Sequence, residues 1–217
     1  MKKLLLGGCL LLLFTGCSNS LESTASNRGI YLLIDTSGTY TQELNKAQQI
    51  INYTLAKLYA GDTFAVASID TGSFSEKDII AKATFDDRPS KANQQKRLFQ
   101  EQVAQYVKQV KSSPYTDITG GVLQATEFLN EKSPRDKTIF IFSDLKEELK
   151  NGYIRDIPLT LQGFNVVALN VTKLRSDNID PREYMNRLGA WEQRVVAGGG
   201  HWKIINDLEQ LDKLIQN

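Results

Sequence analysis

Short apolar runs alternate along the chain with longer segments in which apolar residues recur every three or four positions. Residues 30–34 form an uninterrupted apolar run with branched and aromatic side chains, which is typical of a strand buried on both faces. The following segment places Leu44, Ala47, Ile51 and Leu55 on one face, as in an amphipathic helix. The pattern predicts further strands at 63–69, 79–85, 137–142, 164–171 and 202–205, and helices at 41–59, 89–110, 117–129, 181–197 and 208–215.

This alternation predicts an α/β fold, a Rossmann-like doubly wound sheet that is mostly parallel and carries helices on both faces. The strand at 79–85 is the exception. The loop at 70–77 is too short for a crossover helix, so this strand is expected to run antiparallel at an edge. The pattern leaves residues 145–163 uncertain, and Lys146, Glu147 and Glu148 are interpreted as the solvated start of a helix.

The amino terminus has the pattern of an export signal. Lys2 and Lys3 precede the apolar run 4–14, which is too short for the roughly 20 residues of a spanning helix. Residues 14–17 resemble the lipobox of bacterial lipoproteins, although Phe14 stands where leucine is usual. Cys9 fits the box superficially but follows too few apolar residues. We therefore predict a signal peptide at 1–16 and lipidation of Cys17; a plain secretory signal is the alternative.

Cleavage before Cys17 would remove Cys9 and leave no disulfide in the mature chain. Residues 17–28 would be the lipidated cysteine and a flexible tether, about 35 Å long when extended. Residues 29–217 are predicted to be one domain. Removal of Lys2 and Lys3 would reduce the 26 basic residues to 24, against 25 acidic ones. This near-neutral balance gives no reason to expect binding to nucleic acid. The expected location is extracytoplasmic, with the lipid in the cell membrane or outer membrane.

Polar side chains follow the predicted strands at one edge of the sheet. Asp35, Ser37 and Thr39 alternate after the first strand, Thr116 precedes a helix, and Asp144 ends the strand at 137–142. In open α/β sheets ligands bind beyond the carboxyl ends of the strands, where strand order reverses. Carboxylate and hydroxyl oxygens suit a hard cation. The alternative is an ordinary turn, with Thr39 or Thr41 capping the next helix.

These clusters resemble the metal-ion-dependent adhesion site of von Willebrand factor A domains. Residues 35–39 match the first motif, with Thr39 where serine is commoner. Thr116 matches the threonine loop and Asp144 the third motif, although Leu145 stands where glycine is usual. The resemblance implies that Ser37 and Thr39 bind Mg²⁺ directly, with Mn²⁺ or Ca²⁺ as alternatives. It further implies that Thr116 joins when a ligand is bound, and that Asp35 and Asp144 act largely through water and hydrogen bonds.

The resemblance implies a binding module and no enzyme, in which the cation engages an Asp or Glu of a protein partner for adhesion or for scaffolding an envelope complex. Two alternatives remain open. A haloacid-dehalogenase-like phosphatase would use Asp35 as nucleophile, but Ser37 replaces its general acid. A metal-free interaction domain would keep only the fold, and Thr39 and Leu145 are the residues that leave it open.

Some other residues allow both a functional and a structural interpretation, and the rest are interpreted as structural. Asp70 could lie on the rim of the site, but loop aspartates more often form turns. Asp117 lies near the cation or favours the first turn of its helix. His201 is interpreted as a surface residue leading into a strand, and Trp191 and Trp202 as core.

Overall fold

The computed structural model describes residues 27–70, 75–207 and 210–213. The predicted signal peptide, Cys17 and residues 18–26 of the predicted tether lie outside this part. The first strand begins at Arg28, one residue before the predicted start of the domain. Within the described part of the chain, no helix has both the length and the apolar character needed to cross a bilayer.

Six strands form one sheet in the order β3-β2-β1-β4-β5-β6. All neighbouring pairs are parallel except β2 and β3, which are antiparallel. The predicted α/β fold, a mostly parallel sheet with one antiparallel edge strand, is therefore confirmed. The strands are β1 Arg28–Ile34, β2 Thr63–Ser68, β3 Ile79–Thr84, β4 Asp136–Phe142, β5 Phe164–Leu169 and β6 His201–Ile205.

Helices cover both faces of the sheet, as predicted. They are α1 Leu44–Lys57, α2 Pro89–Gln109, α3 Ile118–Lys132 and α4 Pro181–Ala197, and short 3-10 turns span Gly38–Glu43, Glu76–Asp78 and Ser176–Asn178. Of the predicted closing helix at 208–215, residues 210–213 are described and are helical.

Alternation along β1 divides the interior into two cores. Ile30, Leu32 and Ile34 pack in the cluster that contains the buried residues of α1 and α2. Tyr31 and Leu33 pack in the cluster on the other face, with α3 and α4. Because successive side chains of a strand point to opposite faces, a continuous apolar run is what a sheet covered on both sides requires.

A glycine sets the distance between α3 and the sheet. A Cβ added to Gly121 would lie 2.6 Å from Ile69 and 3.0 Å from Leu33, closer than side-chain carbons approach. The absent side chain therefore lets the first turn of α3 lie against β1. The loop that ends at Thr116 leads directly into this turn.

The interpretation of residues 146–148 as a helix start is wrong. Glu148 forms an isolated antiparallel bridge with Thr116. The carboxylate of Glu147 accepts hydrogen bonds from the backbone N–H and the hydroxyl of Thr119, at 2.6 and 3.0 Å. The charged triplet thus joins the end of β4 to α3, a tertiary role that helical periodicity does not reveal.

Candidate metal centre

Asp35 follows β1 at the point where strand order reverses between β1 and β4. Its backbone N–H donates to the carbonyl of Phe142 at 2.9 Å. One carboxylate oxygen accepts the N–H of Ser37 at 2.8 Å, and the other accepts the hydroxyl of Ser143 at 2.6 Å. The buried carboxylate therefore ties the carboxyl ends of the two central strands together.

The turn after Asp35 brings Ser37 and Thr39 to the same edge. Gly38 has φ +34°, in the left-handed region that favours glycine, and opens the 3-10 turn that contains Thr39. The side chain of Thr39 lies outside the described part of the structure. Thr41 does not cap α1; its hydroxyl donates to the carbonyl of Thr36 at 3.1 Å and closes the turn.

Thr116 reaches the site from the loop before α3. It is buried, and its backbone exchanges hydrogen bonds of 2.7 and 2.9 Å with Glu148. Its side chain lies close enough to Asp35 to lower the pKa of that carboxyl by hydrogen bonding. The three segments that sequence motifs predicted to converge do meet around Asp35.

Asp144 follows β4 and is also buried. One carboxylate oxygen accepts the N–H of Lys146 at 2.8 Å, and its backbone carbonyl accepts Nε of Arg187 at 3.2 Å. Arg187 in turn donates two hydrogen bonds, of 2.8 and 2.7 Å, to the buried carboxylate of Asp177. This arginine from α4 holds the loop after β4 in place.

Burial is the largest influence on both site carboxylates. It raises the pKa of Asp35, while hydrogen bonds from Ser143, Ser37 and Thr116 oppose the rise. It raises the pKa of Asp144 to about 6, where the charge of Asp35 adds to the rise and the N–H of Lys146 and the charge of Arg187 oppose it. A cation between two such carboxylates would favour their charged forms.

Leu145 occupies an unusual backbone conformation, with φ +66°. Its N–H donates to the hydroxyl of Ser143 at 3.0 Å, and its carbonyl accepts the indole N–H of Trp191 at 3.1 Å. Its side chain is buried in the core that faces α3 and α4. The left-handed conformation explains why glycine suits this position, and the packing shows how leucine occupies it without displacing Asp144.

The remaining residues that the sequence singled out are not among those proposed to hold the cation. Asp117 is buried, caps α3 by accepting the N–H of Gly120 at 2.7 Å and forms an ion pair with the partly buried Arg155, so its structural interpretation is supported. Asp70 is half-buried after β2, and burial raises its pKa. His201 is exposed at the start of β6, as predicted.

Both tryptophans lie in the interior but to different extents. Trp191 is buried, which confirms its interpretation as core. Trp202 is partly buried and packs against the same core.

Sequence reasoning missed three side chains that shape the site. Ser143 was visible as the neighbour of Asp144 but was not assigned a role. Tyr40 packs edge-on against Phe142, with ring centroids 5.1 Å apart, and donates to the carbonyl of Asn170 at 2.5 Å. Arg187 lies far along the chain on α4, and no local pattern marks it.

The donor set fits a hard divalent cation. Within the described residues, no group of three His, Cys, Asp or Glu side chains is arranged to hold a metal, so a cation here would depend on hydroxyl oxygens. Ser37 and Thr116 provide such oxygens beside the carboxylates of Asp35 and Asp144. A small set of oxygen ligands completed by water is what Mg²⁺ prefers in proteins.

No protein-family model matches the sequence, and no curated protein matches it. Solved structures do match. The von Willebrand factor type A structure from Catenulispora acidiphila is 15% identical, with a TM-score of 0.52 over 88% of this chain and 41% of that one. The fold is that of a von Willebrand factor A domain. The pilus adhesin SpaC from Lactobacillus rhamnosus GG, in an open conformation, is 10% identical, with a TM-score of 0.54 over 88% of this chain and 29% of that one.

The chain spans less than half the length of either of these structures. A third similar structure, the manganese-loaded TRAP protein of Plasmodium vivax, is 13% identical, with a TM-score of 0.43 over 88% of this chain and 62% of that one. A TM-score of 0.43 is too low for the metal of that protein to support an argument about this chain. The comparisons therefore show the fold and leave the site to be argued from its own residues.

Proposed function

We propose that this chain is a protein-binding module that holds a divalent cation, Mg²⁺ by preference and Mn²⁺ or Ca²⁺ as alternatives, and engages an Asp or Glu of a partner protein. The observation that supports it best is the convergence of three segments on Asp35 at the strand-order reversal, with the Ser143 hydroxyl 2.6 Å from its carboxylate. Asp35, Ser37, Thr39, Thr116 and Asp144 are the residues proposed to hold the cation.

The proposed specificity follows from the charges of these residues. Three of the five are hydroxyl side chains, and the two proposed to bind the ion directly, Ser37 and Thr39, are neutral. Carboxylates that act through water leave positive charge on the ion at its open position. When bound, the cation supplies an electropositive position for one more anionic oxygen. A carboxylate of a partner is the matching group, because hard cations prefer charged oxygen ligands. Binding of a carboxylate in this way does not require any bond to be broken, and we propose that the module is not an enzyme.

The site is tested by Asp35→Asn. This change keeps the volume and part of the hydrogen bonding but removes a charge, so we expect a thermal melt of the full chain in detergent to lose its Mg²⁺-dependent rise in Tm. At 100 times Kd the wild type should gain about 2.7 kcal/mol in its free energy of unfolding. Asp87→Ala is the matched control, because Asp87 is exposed beyond the far end of β3.

An Mg²⁺ response that Asp35→Asn leaves intact would show that the cation binds elsewhere. A wild type that gives no response to Mg²⁺, Mn²⁺ or Ca²⁺ would favour the metal-free interaction domain. Turnover of an aryl phosphate that Asp35→Asn abolishes would favour the phosphatase. Ser37 speaks against that outcome, because its hydroxyl replaces the carboxylic acid that would protonate the leaving group.

We further propose that Cys17 carries lipid and holds the domain outside the cytoplasm, on the cell membrane or outer membrane. The support is the sequence of residues 1–28 alone. In that setting an adhesive role or a scaffold role in an envelope complex suits a module with a carboxylate-binding edge. Affinity capture from membranes with and without a chelator would identify the partner and test its metal dependence together.

A further inference from the structure

A second concave surface lies between the start of β3 and the middle of α3. We call it the acidic groove; its volume is about 330 Å³, and Glu76, Gln124, Glu127, Phe128 and Glu131 line it. It lies on the α3 face of the sheet, because Phe128 packs with Tyr31 in that core. None of the residues proposed to hold the cation lines it.

One buried polar atom without a partner belongs to a residue that lines this groove, and two more belong to residues beside the lining. Gln124 is 6% exposed, and its Oε1 has no hydrogen-bond partner among the described residues. The same holds for the hydroxyl of Tyr31, which is 0% exposed, and for Oδ2 of Asp78. Burying such atoms without partners costs free energy, so a ligand that satisfies them would bind favourably.

Contacts place the residues that carry these atoms beside the lining of the groove. The carbonyl of Ser75 accepts hydrogen bonds from both the side-chain amide of Gln124 and the N–H of Asp78, the latter at 3.1 Å. The ring of Tyr31 meets that of Phe128 edge-on, with centroids 5.4 Å apart. The carboxylates of Asp78 and Glu76 both help to raise the pKa of Tyr31, after burial, which places its hydroxyl near them.

The charge of this region is negative. Glu76 and Glu131 are ion-paired with Lys82 and Lys132, at 3.1 and 2.9 Å. Glu127 has no ion pair within the described part of the chain, and neither does Asp78. Burial, followed by the charges of Asp70 and Asp117, raises the pKa of Asp78 to about 6. The local excess of negative charge favours a cationic ligand and disfavours an anionic one.

We propose that the acidic groove binds an alkylammonium group, such as the side chain of a lysine from a partner. An ammonium offers three donors, and the unpaired Oε1 of Gln124 and the carboxylate of Glu127 are acceptors on residues that line the groove. Its methylene stem matches the apolar wall at Phe128 and Ile79. The volume exceeds the roughly 30 Å³ of one water molecule many times, so the groove suits an organic cation.

The test is a titration of the full chain with n-butylammonium chloride at low salt, followed by backbone amide NMR shifts. We expect saturable shifts at Gln124 and Glu127 with a millimolar Kd that weakens as NaCl is added. n-Butanol, which has the same stem and no charge, should give no saturable shift. Chelation of divalent ions should leave the titration unchanged, which separates this groove from the proposed metal centre.

Two variants identify the residues responsible. Glu127→Gln, at an exposed position, should weaken binding about fivefold. Gln124→Met keeps the side-chain volume but deletes the acceptor, and it should abolish the saturable shifts. Glu101→Gln, exposed on α2, is the matched control and should bind as the wild type does.

Any of three results would overturn the proposal: equal binding of n-butanol, unchanged binding by Glu127→Gln, or an absence of saturable shifts. An absence of saturable shifts would mean that water alone satisfies the acceptors. The source of the ammonium is then resolved by comparing N-acetyl-lysine methylamide with putrescine. Tighter binding of the lysine derivative assigns the groove to a protein partner, and tighter binding of putrescine assigns it to a free polyamine.

Discussion

Among the residues that the structure describes, three that are not glycine have positive φ: Ser133 at 48°, Leu145 at 66° and Asn170 at 53°. Asparagine adopts this region more readily than most residues, and the side chain of Asn170 is also held by a tertiary contact, because it donates to the Tyr40 hydroxyl at 3.2 Å. Serine at 133 ends α3 with a left-handed cap. Leu145 has no polar side chain and does not end a helix. Its buried side chain and two backbone hydrogen bonds must therefore hold the strained conformation.

Substitutions at Leu145 should therefore show an inverted order of stability. Leu145→Ala loses buried surface and keeps the strain, which should cost about 3 kcal/mol in unfolding free energy. Leu145→Gly loses the same surface but relieves the strain, so it should be about 1 kcal/mol more stable than the alanine variant. Urea unfolding measures both.

The matched control is the same pair of substitutions at Leu161, which is equally buried but lacks a positive φ. There glycine should be less stable than alanine, because it gains more freedom in the unfolded chain. A glycine variant at 145 that is less stable than its alanine counterpart would show that the backbone conformation at 145 carries no strain.

At the scale of elements, two helices begin in the same way but in different surroundings. Asp117 caps α3 and Asp180 caps α4, and an arginine pairs with each carboxylate. The Arg155–Asp117 pair is buried at its carboxylate and partly buried at its guanidinium, and it ties the loop after β4 to the start of α3. The Arg182–Asp180 pair is exposed and lies two residues apart within one turn.

Arg155→Met should destabilise the protein by about 3 kcal/mol, because it leaves the buried charge of Asp117 without its partner. Arg182→Met removes an equivalent contact at an exposed site, where water replaces it, and should leave the unfolding midpoint unchanged. Chemical denaturation of both variants checks this. Similar losses in the two variants would mean that burial does not decide the contribution of these pairs.

At the scale of the whole molecule, the doubly wound sheet places the two proposed binding sites apart. The proposed metal centre lies beyond the carboxyl ends of β1 and β4, and the acidic groove lies on the α3 face. The chain enters the sheet at Arg28, at the amino end of β1, which is the opposite edge of the sheet from the proposed metal centre. If Cys17 carries lipid as predicted, the proposed metal centre lies at the edge of the domain that is remote from the point where the tether joins it.

The lipid attachment makes a prediction of its own. Cys17→Ser should remove the acceptor of the lipid, so the exported protein should leave the membrane fraction and lose metabolic labelling by palmitate. Cys9→Ser is the control and should change neither, because Cys9 would be removed with the signal peptide. Palmitate labelling that survives in Cys17→Ser would contradict the assignment.

The sequence by itself determined the order and type of the elements, because buried strands and amphipathic helices leave periodic patterns within short windows. It also pointed to Asp35, Thr116 and Asp144, since each follows or precedes such an element. Their convergence around one carboxylate depended on tertiary structure. So did the role of Glu147, the clamp by Arg187, the strained Leu145 and the unpaired acceptors at Gln124 and Asp78, because contacts between residues distant in sequence leave no local pattern.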